Sequence, residues 1–227
     1  MSAPLRLVIF DVDGTLVDSQ GDIVAAMGAA FAAVGLPAPK REAVLSIVGL
    51  SLDVAVPRLA AGGSAADHAL MVQGYKDAYM GLRAQSGVAA SSPLYPGALD
   101  CLERLHAMPD VLLGIATGKS KRGLDKLIEG HGLEHFFITR QVADFHPSKP
   151  HPSMILEAMR ETGVAPEHTL MLGDTSYDME MAAAAGVRGV GVSWGYHPKE
   201  QLCRADHLID DFASLSGLIE EMWSLGA

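Results

Sequence analysis

The chain has little of what an extracellular or membrane protein depends on. It holds two cysteines in 227 residues, Cys101 and Cys203. They stand too far apart for a metal-binding pair and are too few for a disulfide framework. They read as reduced thiols. Basic residues are also scarce, with 17 Lys and Arg against 27 Asp and Glu, for a formal net charge of -10. A nucleic-acid backbone requires a Lys/Arg surface, so nucleic acid is excluded as a partner. Electrostatic attachment to an anionic membrane is disfavoured for the same reason. No apolar run approaches the ~18 residues of a membrane-crossing helix. The first apolar run meets Asp11 too early to serve as a signal peptide. A cytoplasmic protein is expected. Charged residues make up only 19% of the chain, but apolar residues make up 49%. That balance excludes disorder and supports a sizeable core.

Short β-favouring runs occur at residues 5–10, 111–116, 136–139, 169–172, 189–192 and 207–209. Helical patterns lie between the later ones. Residues 152–162 open on Pro152 and stop at Gly163, and residues 176–185 stop at Gly186. Phe212, Leu215, Ile219 and Met222 mark a last amphipathic helix. The alternation predicts an α/β fold with a Rossmann-like parallel sheet flanked by helices.

The first half breaks that rhythm. Ser19-Gln20-Gly21-Asp22 reads as a helix start. Ile23, Ala26, Met27, Ala30, Phe31 and Val34 then form one helical face, and Gly35 ends it. Further helices are expected at residues 40–48, 52–60 and 65–83, with loops at 62–64 and 86–96. Residues 1–17 and 91–227 are therefore expected to form the catalytic core. Residues 18–90 form an inserted helical cap, with hinges near 16–18 and 86–93.

Four motifs fall where parallel strands should end, which is where open α/β sheets bind ligands. Asp11-Val12-Asp13-Gly14-Thr15 places two carboxylates at i, i+2. In extended chain both point to one side, one suited to attack and the other to moving a proton. Thr117-Gly118-Lys119-Ser120 offers a hydroxyl and backbone N–H groups to an anion, or simply caps the next helix. Lys149, in a Pro-rich segment, can neutralise a phosphate or crowded carboxylates. Gly173-Asp174 with Asp178 supplies hard oxygen donors suited to Mg²⁺. Asp178 alternatively braces Lys149, or is an acid favoured in a first helical turn.

Together these motifs, with Asp11-Val-Asp-Gly-Thr-Leu at their head, make the chain resemble the haloacid dehalogenase superfamily of phosphohydrolases. The likeness is to its phosphoglycolate-phosphatase-like members, with a helical cap after the first motif. The resemblance implies that Asp11 attacks phosphorus and forms an aspartyl-phosphate, and that Asp13 protonates the leaving oxygen. It implies that Thr117, the Gly118 N–H and Lys149 bind the phosphoryl group. It also implies that Asp11, the Asp13 carbonyl and Asp174 hold Mg²⁺ with support from Asp178. The expected function is a Mg²⁺-dependent phosphomonoesterase acting on a small phosphorylated metabolite such as phosphoglycolate. A sugar phosphomutase and a catalytically silent regulatory module are the alternatives. Asp13 argues against dehalogenating members, which lack an acid there, and against an imine route through Lys40 or Lys76.

The cap decides the substrate. Residues 48–52 are placed to reach the site, and Arg58 is a candidate for binding a carboxylate. Met27, Met71 and Met80 read as packing residues. Residues 194–197, with Trp194, Tyr196 and His197, read as a loop over the sheet end. Phe145 and His146 either reach the site rim or pack.

Overall fold

The computed structural model describes residues 4–224. Strand β1 (Arg6–Phe10) is followed by five helices: α1 (Gln20–Ala32), α2 (Arg41–Leu45), α3 (Leu52–Leu59), α4 (Ala65–Ser86) and α5 (Val88–Ser91). Helix α6 (Ala98–His106), β2 (Val111–Thr117), α7 (Lys121–His131) and β3 (Phe137–Val142) come next. They lead to α8 (Ser153–Thr162), β4 (Thr169–Gly173), α9 (Ser176–Ala185), β5 (Arg188–Val192), β6 (His207–Ile209) and α10 (Ala213–Ser224). The strands form one parallel sheet in the order β3-β2-β1-β4-β5-β6.

Burial on both faces explains why β1 is apolar from Leu7 to Phe10 rather than alternating. Val8 and Phe10 face α6, α7 and α10, packing with Leu102, Leu105, Leu124 and Leu215. Leu7 and Ile9 face α8 and α9, packing with Met154, Ile155, Met181 and Ala182. The chain steps outward from β1 in both directions, first to β2 and later to β4. That reversal opens a crevice at the carboxyl ends of β1 and β4.

Helices α1 to α4 carry an apolar cluster of their own, including Ile23, Met27, Phe31, Val44, Val56 and Met71. Val88 of α5 instead packs against the sheet's cluster. Five local expectations change. Helix α2 stops at Leu45, and the chain turns through residue 49, where Gly49 has a φ of +97°. Helix α4 runs on to Ser86, held at its start by reciprocal bonds between Ser64 and Asp67. The expected loop at 86–96 contains α5, and α6 occupies a stretch where no helix is expected. Ser19 precedes α1 but does not cap it. Its hydroxyl donates to the Asp13 carboxylate, and its oxygen accepts no N–H from the first turn of the helix.

Both cysteines are free. Burial pushes the Cys101 thiol up to about 12, so it stays protonated and behaves as an apolar core group. Among the described residues no helix is long and apolar enough to cross a membrane.

Candidate active site

Asp11 continues β1, its N–H donating to the Leu172 carbonyl at 2.9 Å. Gly14 closes the following turn with φ +85°. A Cβ there would lie 2.2 Å from Oδ2 of Asp174, so the turn needs glycine for space as well as for conformation. Asp174 follows β4 and is held by the Thr15 hydroxyl at 3.0 Å and the Tyr196 N–H at 2.8 Å. Gly195 passes so close that a Cβ there would stand 2.0 Å from the Asp174 Cβ.

Lys149 Nζ lies 2.8 Å from Asp11 Oδ1 and 2.6 Å from Asp178 Oδ1, with no exposure of its side chain. The other Asp178 oxygen accepts from the Thr175 hydroxyl at 2.6 Å and the Thr175 N–H at 3.1 Å. Asp178 thus braces Lys149 and anchors the start of α9. Carboxylate oxygens of Asp11, Asp174 and Asp178 all lie within 4.8 Å of one another. One ammonium faces three buried carboxylates.

The electrostatics follow from that imbalance. Burial pushes Asp11 up to about 7; Lys149 opposes the rise, and the charges of Asp178 and Asp13 add to it. Burial, with Asp11 and Asp178 adding, raises Asp174 well above the usual carboxylate range. Neither Asp11 oxygen accepts a well-aligned hydrogen bond. Crowded, under-neutralised hard oxygens with unsatisfied lone pairs fit a divalent cation such as Mg²⁺.

Asp13 has a different environment. Its Oδ2 is 2.8 Å from Lys119 Nζ, and its Oδ1 accepts from the Ser19 hydroxyl. Burial alone would raise it, but the Lys119 ammonium, the Ser19 hydroxyl and the Arg83 charge together outweigh that and lower it. Asp13 is therefore held ionised. Two carboxylates two residues apart are pushed in opposite directions, as expected of groups with different chemical tasks.

Thr117 ends β2 and is buried. It does not cap α7; Ser120 does, accepting from the Gly123 N–H at 3.2 Å. Lys119 N–H donates to Thr117 Oγ1 at 3.2 Å. Gly118 lies under residues 49–50, where a Cβ would meet the Gly49 carbonyl at 2.4 Å. The Ser51 N–H donates to the Ser148 hydroxyl at 2.9 Å, next to Lys149. The loop from the helical part therefore closes directly over the strand ends.

Beneath it is a cavity of about 560 Å³, with Asp11, Asp13, Thr117 and Gly118 on one wall. Met27, Leu50, Tyr79 and Met80 line it from the helical side. The segment carrying Trp194 and Tyr196 does cover the sheet end: Trp194 Nε1 donates to the Thr15 carbonyl at 3.1 Å. His197 and Tyr177 tie α9 to the Ser46 carbonyl at 3.2 Å and 3.0 Å.

Arg58 does not line the cavity; it rests over the Tyr177 ring at 5.7 Å. Phe145 is exposed, and His146 is 2.8 Å from both Gln141 Oε1 and Ser153 Oγ. Met27 and Met71 are buried as expected, whereas Met80 is partly exposed and lines the cavity. The Lys119–Asp13 pair and the contacts of Ser19, Thr15 and Tyr196 with the site carboxylates are not among the sequence expectations. Lys119 carried a usable signal, a cation two residues beyond Thr117 at a strand end crowded with acids.

Comparison with known proteins gives a consistent answer. Residues 8–192 match the family model described as haloacid dehalogenase-like hydrolase. A probable phosphatase, IndB of Dickeya dadantii, is 34% identical over 97% of this chain and 96% of its own. A phosphoglycolate phosphatase of Pseudomonas putida is 36% identical over 85% of this chain and 71% of its own. The crystal structure of a predicted phosphoglycolate phosphatase from Haemophilus somnus superposes with a TM-score of 0.81 at 25% identity. That match covers 96% of this chain and 99% of the other.

Proposed function

The chain belongs to the haloacid dehalogenase-like hydrolase family and is a phosphatase-type hydrolase; from that premise we propose that it is a Mg²⁺-dependent phosphomonoesterase working through an aspartyl-phosphate. The substrate is a small phosphorylated metabolite, and phosphoglycolate is the first to test. The observation that carries the reading is Asp11, a buried carboxylate at the wall of the cavity, facing Lys149 and free of competing hydrogen bonds.

Asp11 is the nucleophile. Its Oδ attacks phosphorus and the alkoxide leaves, splitting hydrolysis into two transfers. Asp13, within the same cavity, gives its proton to the leaving oxygen and then takes one from the attacking water. Such proton transfer is worth roughly 10²–10⁴ in rate. The Lys119 contact holds Asp13 as a carboxylate in the resting site, so an entering anion that draws Lys119 away releases it to take up the proton. Thr117 and the Gly118 N–H bind phosphoryl oxygens, and Lys149 offsets the charge of nucleophile and phosphate together. Asp11, the Asp13 carbonyl and Asp174 would hold Mg²⁺, with Asp178 positioning Lys149. Bound there, the cation would supply charge neutralisation between the attacking carboxylate and the phosphate dianion. Residues 18–90 act as the cap that shuts water out and selects the leaving group.

The test is Asp11→Asn. It is expected to fold, to lose at least ~10³-fold in phosphate release from a metabolite panel, and to form no acid-stable phospho-protein. A variant that keeps full turnover would remove Asp11 from the nucleophile's role.

A further inference from the structure

The positive charge lining the cavity is not used up by the phosphatase chemistry. Lys76, Arg83, Lys119, Arg122 and Lys126 border it, while Asp11 and Asp13 are the acids there. Asp11 is met by Lys149 and Asp13 by Lys119. Lys126 pairs with Glu129 on the surface. Lys76 and Arg122 are exposed and solvated. Arg83 differs from all of these.

Arg83 sits in the last turn of α4 and is only 9% exposed. Among the described residues it forms no ion pair. Its Nη1 donates to the Gly123 carbonyl at 3.1 Å and its Nη2 reaches the Ser92 hydroxyl at 3.5 Å. Its Nε has no partner at all. The guanidinium lies 4.9 Å from the Tyr79 ring centre, and Lys119 Nζ lies 5.0 Å from the same centre. A buried guanidinium with a free N–H and no carboxylate in contact is unfavourable until an anion meets it. The guanidinium fork matches a carboxylate or a phosphoryl group, and not a neutral alcohol.

We propose that the phosphate ester cleaved at Asp11 carries a second anionic group, a carboxylate or a second phosphoryl, which docks on Arg83 beside Tyr79. The proposal rests on the phosphomonoesterase reading and assigns Arg83 as the residue that selects the leaving group. The apolar side chains of Met27, Leu50 and Met80 then flank the carbon chain between the two anions. Lys119, shared between Asp13 and the Tyr79 ring, is placed to feel the second anion as well.

The experiment compares three esters of equal chain length in Mg²⁺: n-propyl phosphate, its ω-carboxylate analogue and propane-1,3-diol bisphosphate. The wild type is expected to favour one anion-bearing ester over propyl phosphate by about ten- to a hundredfold in kcat/KM, the usual worth of a charge-assisted hydrogen bond. Whether the carboxylate or the bisphosphate wins identifies the second anion. Arg83→Gln is expected to abolish that preference through KM, and Arg83→Lys to restore part of it. Equal wild-type rates on all three esters would overturn the proposal. So would a variant that loses all three equally, since Arg83 would then be a strut to Gly123 and Ser92. The wild-type comparison tests the second anion even if Arg83→Gln fails to fold, and Arg83→Lys, which keeps the charge and loses the fork, then tests the assignment to Arg83. Hydrolysis of no ester at all would instead overturn the phosphomonoesterase reading.

Discussion

Replacing Lys149 with Met removes the one ammonium inside a cluster of three carboxylates while keeping much of its volume. Its Nζ touches Asp11 at 2.8 Å and Asp178 at 2.6 Å, both fully buried. Breaking a buried pair by deleting one partner costs about 3–5 kcal/mol, because the remaining charge is left uncompensated. The cost should depend on pH in a definite direction. Asp11 titrates near 3.8 when unfolded and at about 7 in the fold. Between those values the native state binds more protons than the unfolded state, so stability falls as pH rises. The penalty is absent below about 3.8 and complete above about 7. Each step of one in pH across that window costs ~1.4 kcal/mol, so burying Asp11 already costs the wild type on the order of 4 kcal/mol, and only a further rise adds to the variant's deficit. Lys149 opposes the rise in Asp11, and without it the folded value climbs further. Urea unfolding in EDTA should therefore show a Lys149→Met deficit of about 3–5 kcal/mol at about pH 8 and a clearly smaller one at about pH 5. A residual deficit persists at the lower pH because Asp178 loses its partner at both. A loss under about 1 kcal/mol at the higher pH, or the same loss at both pH values, would refute the reasoning.

Two further outcomes follow from the same cluster. Mg²⁺ requires deprotonated ligands, and burial holds Asp11 and Asp174 in the protonated form at low pH; the rise in Tm on adding Mg²⁺ over EDTA should thus be larger at about pH 8 than at about pH 5. An equal or larger rise under the acidic condition would show that the cation sits elsewhere. Gly195→Ala drives a methyl into Asp174 at 2.0 Å, and is expected to cost about 1–3 kcal/mol by overpacking. It should also raise the Mg²⁺ concentration needed for half-maximal activity at least tenfold, and an unchanged Mg²⁺ titration would mean that the loop is free to move.

What could be read in the residues depended on whether the signal was local. Asp11, Thr117, Lys149 and Asp174 each sit in a short motif next to a buried strand, so a few neighbours announce them. The parallel sheet was legible for the same reason: Leu7 to Phe10 is apolar on both faces because helices cover both faces. Helix α6 also carries a local signal, since Ala98, Cys101, Leu102 and Leu105 follow one helical stripe. Pro93, Pro96 and Gly97 just before it give the stretch the look of a loop. Ile47 and Val48 extend the apolar pattern of α2 beyond its end; they are buried by the turn that carries Gly49 over Gly118 instead. Ser19 has the composition of a helix cap, but nothing local reveals that the Asp13 carboxylate sits within its reach.

The two arginines of the cap show where local reading stops. Arg58 and Arg83 are each followed along a helix by ordinary neighbours, and either could have been chosen to meet an anion. The difference lies wholly in tertiary placement. Arg58 is on the short α3, exposed at the surface, where it meets the Tyr177 hydroxyl and ring. Arg83 is in the last turn of the 22-residue α4, and only the return of the chain onto α7 buries it against Gly123. A net charge of -10 suggests a molecule that repels anions. Folding collects unpaired cationic side chains around one cavity and spreads most of the acids over the outer surface. The field met by a substrate is therefore set by which few charges the chain buries together, and not by their sum. Lys149 and Lys119 each answer a carboxylate already in the site, so the one buried cation still unanswered among the described residues is Arg83.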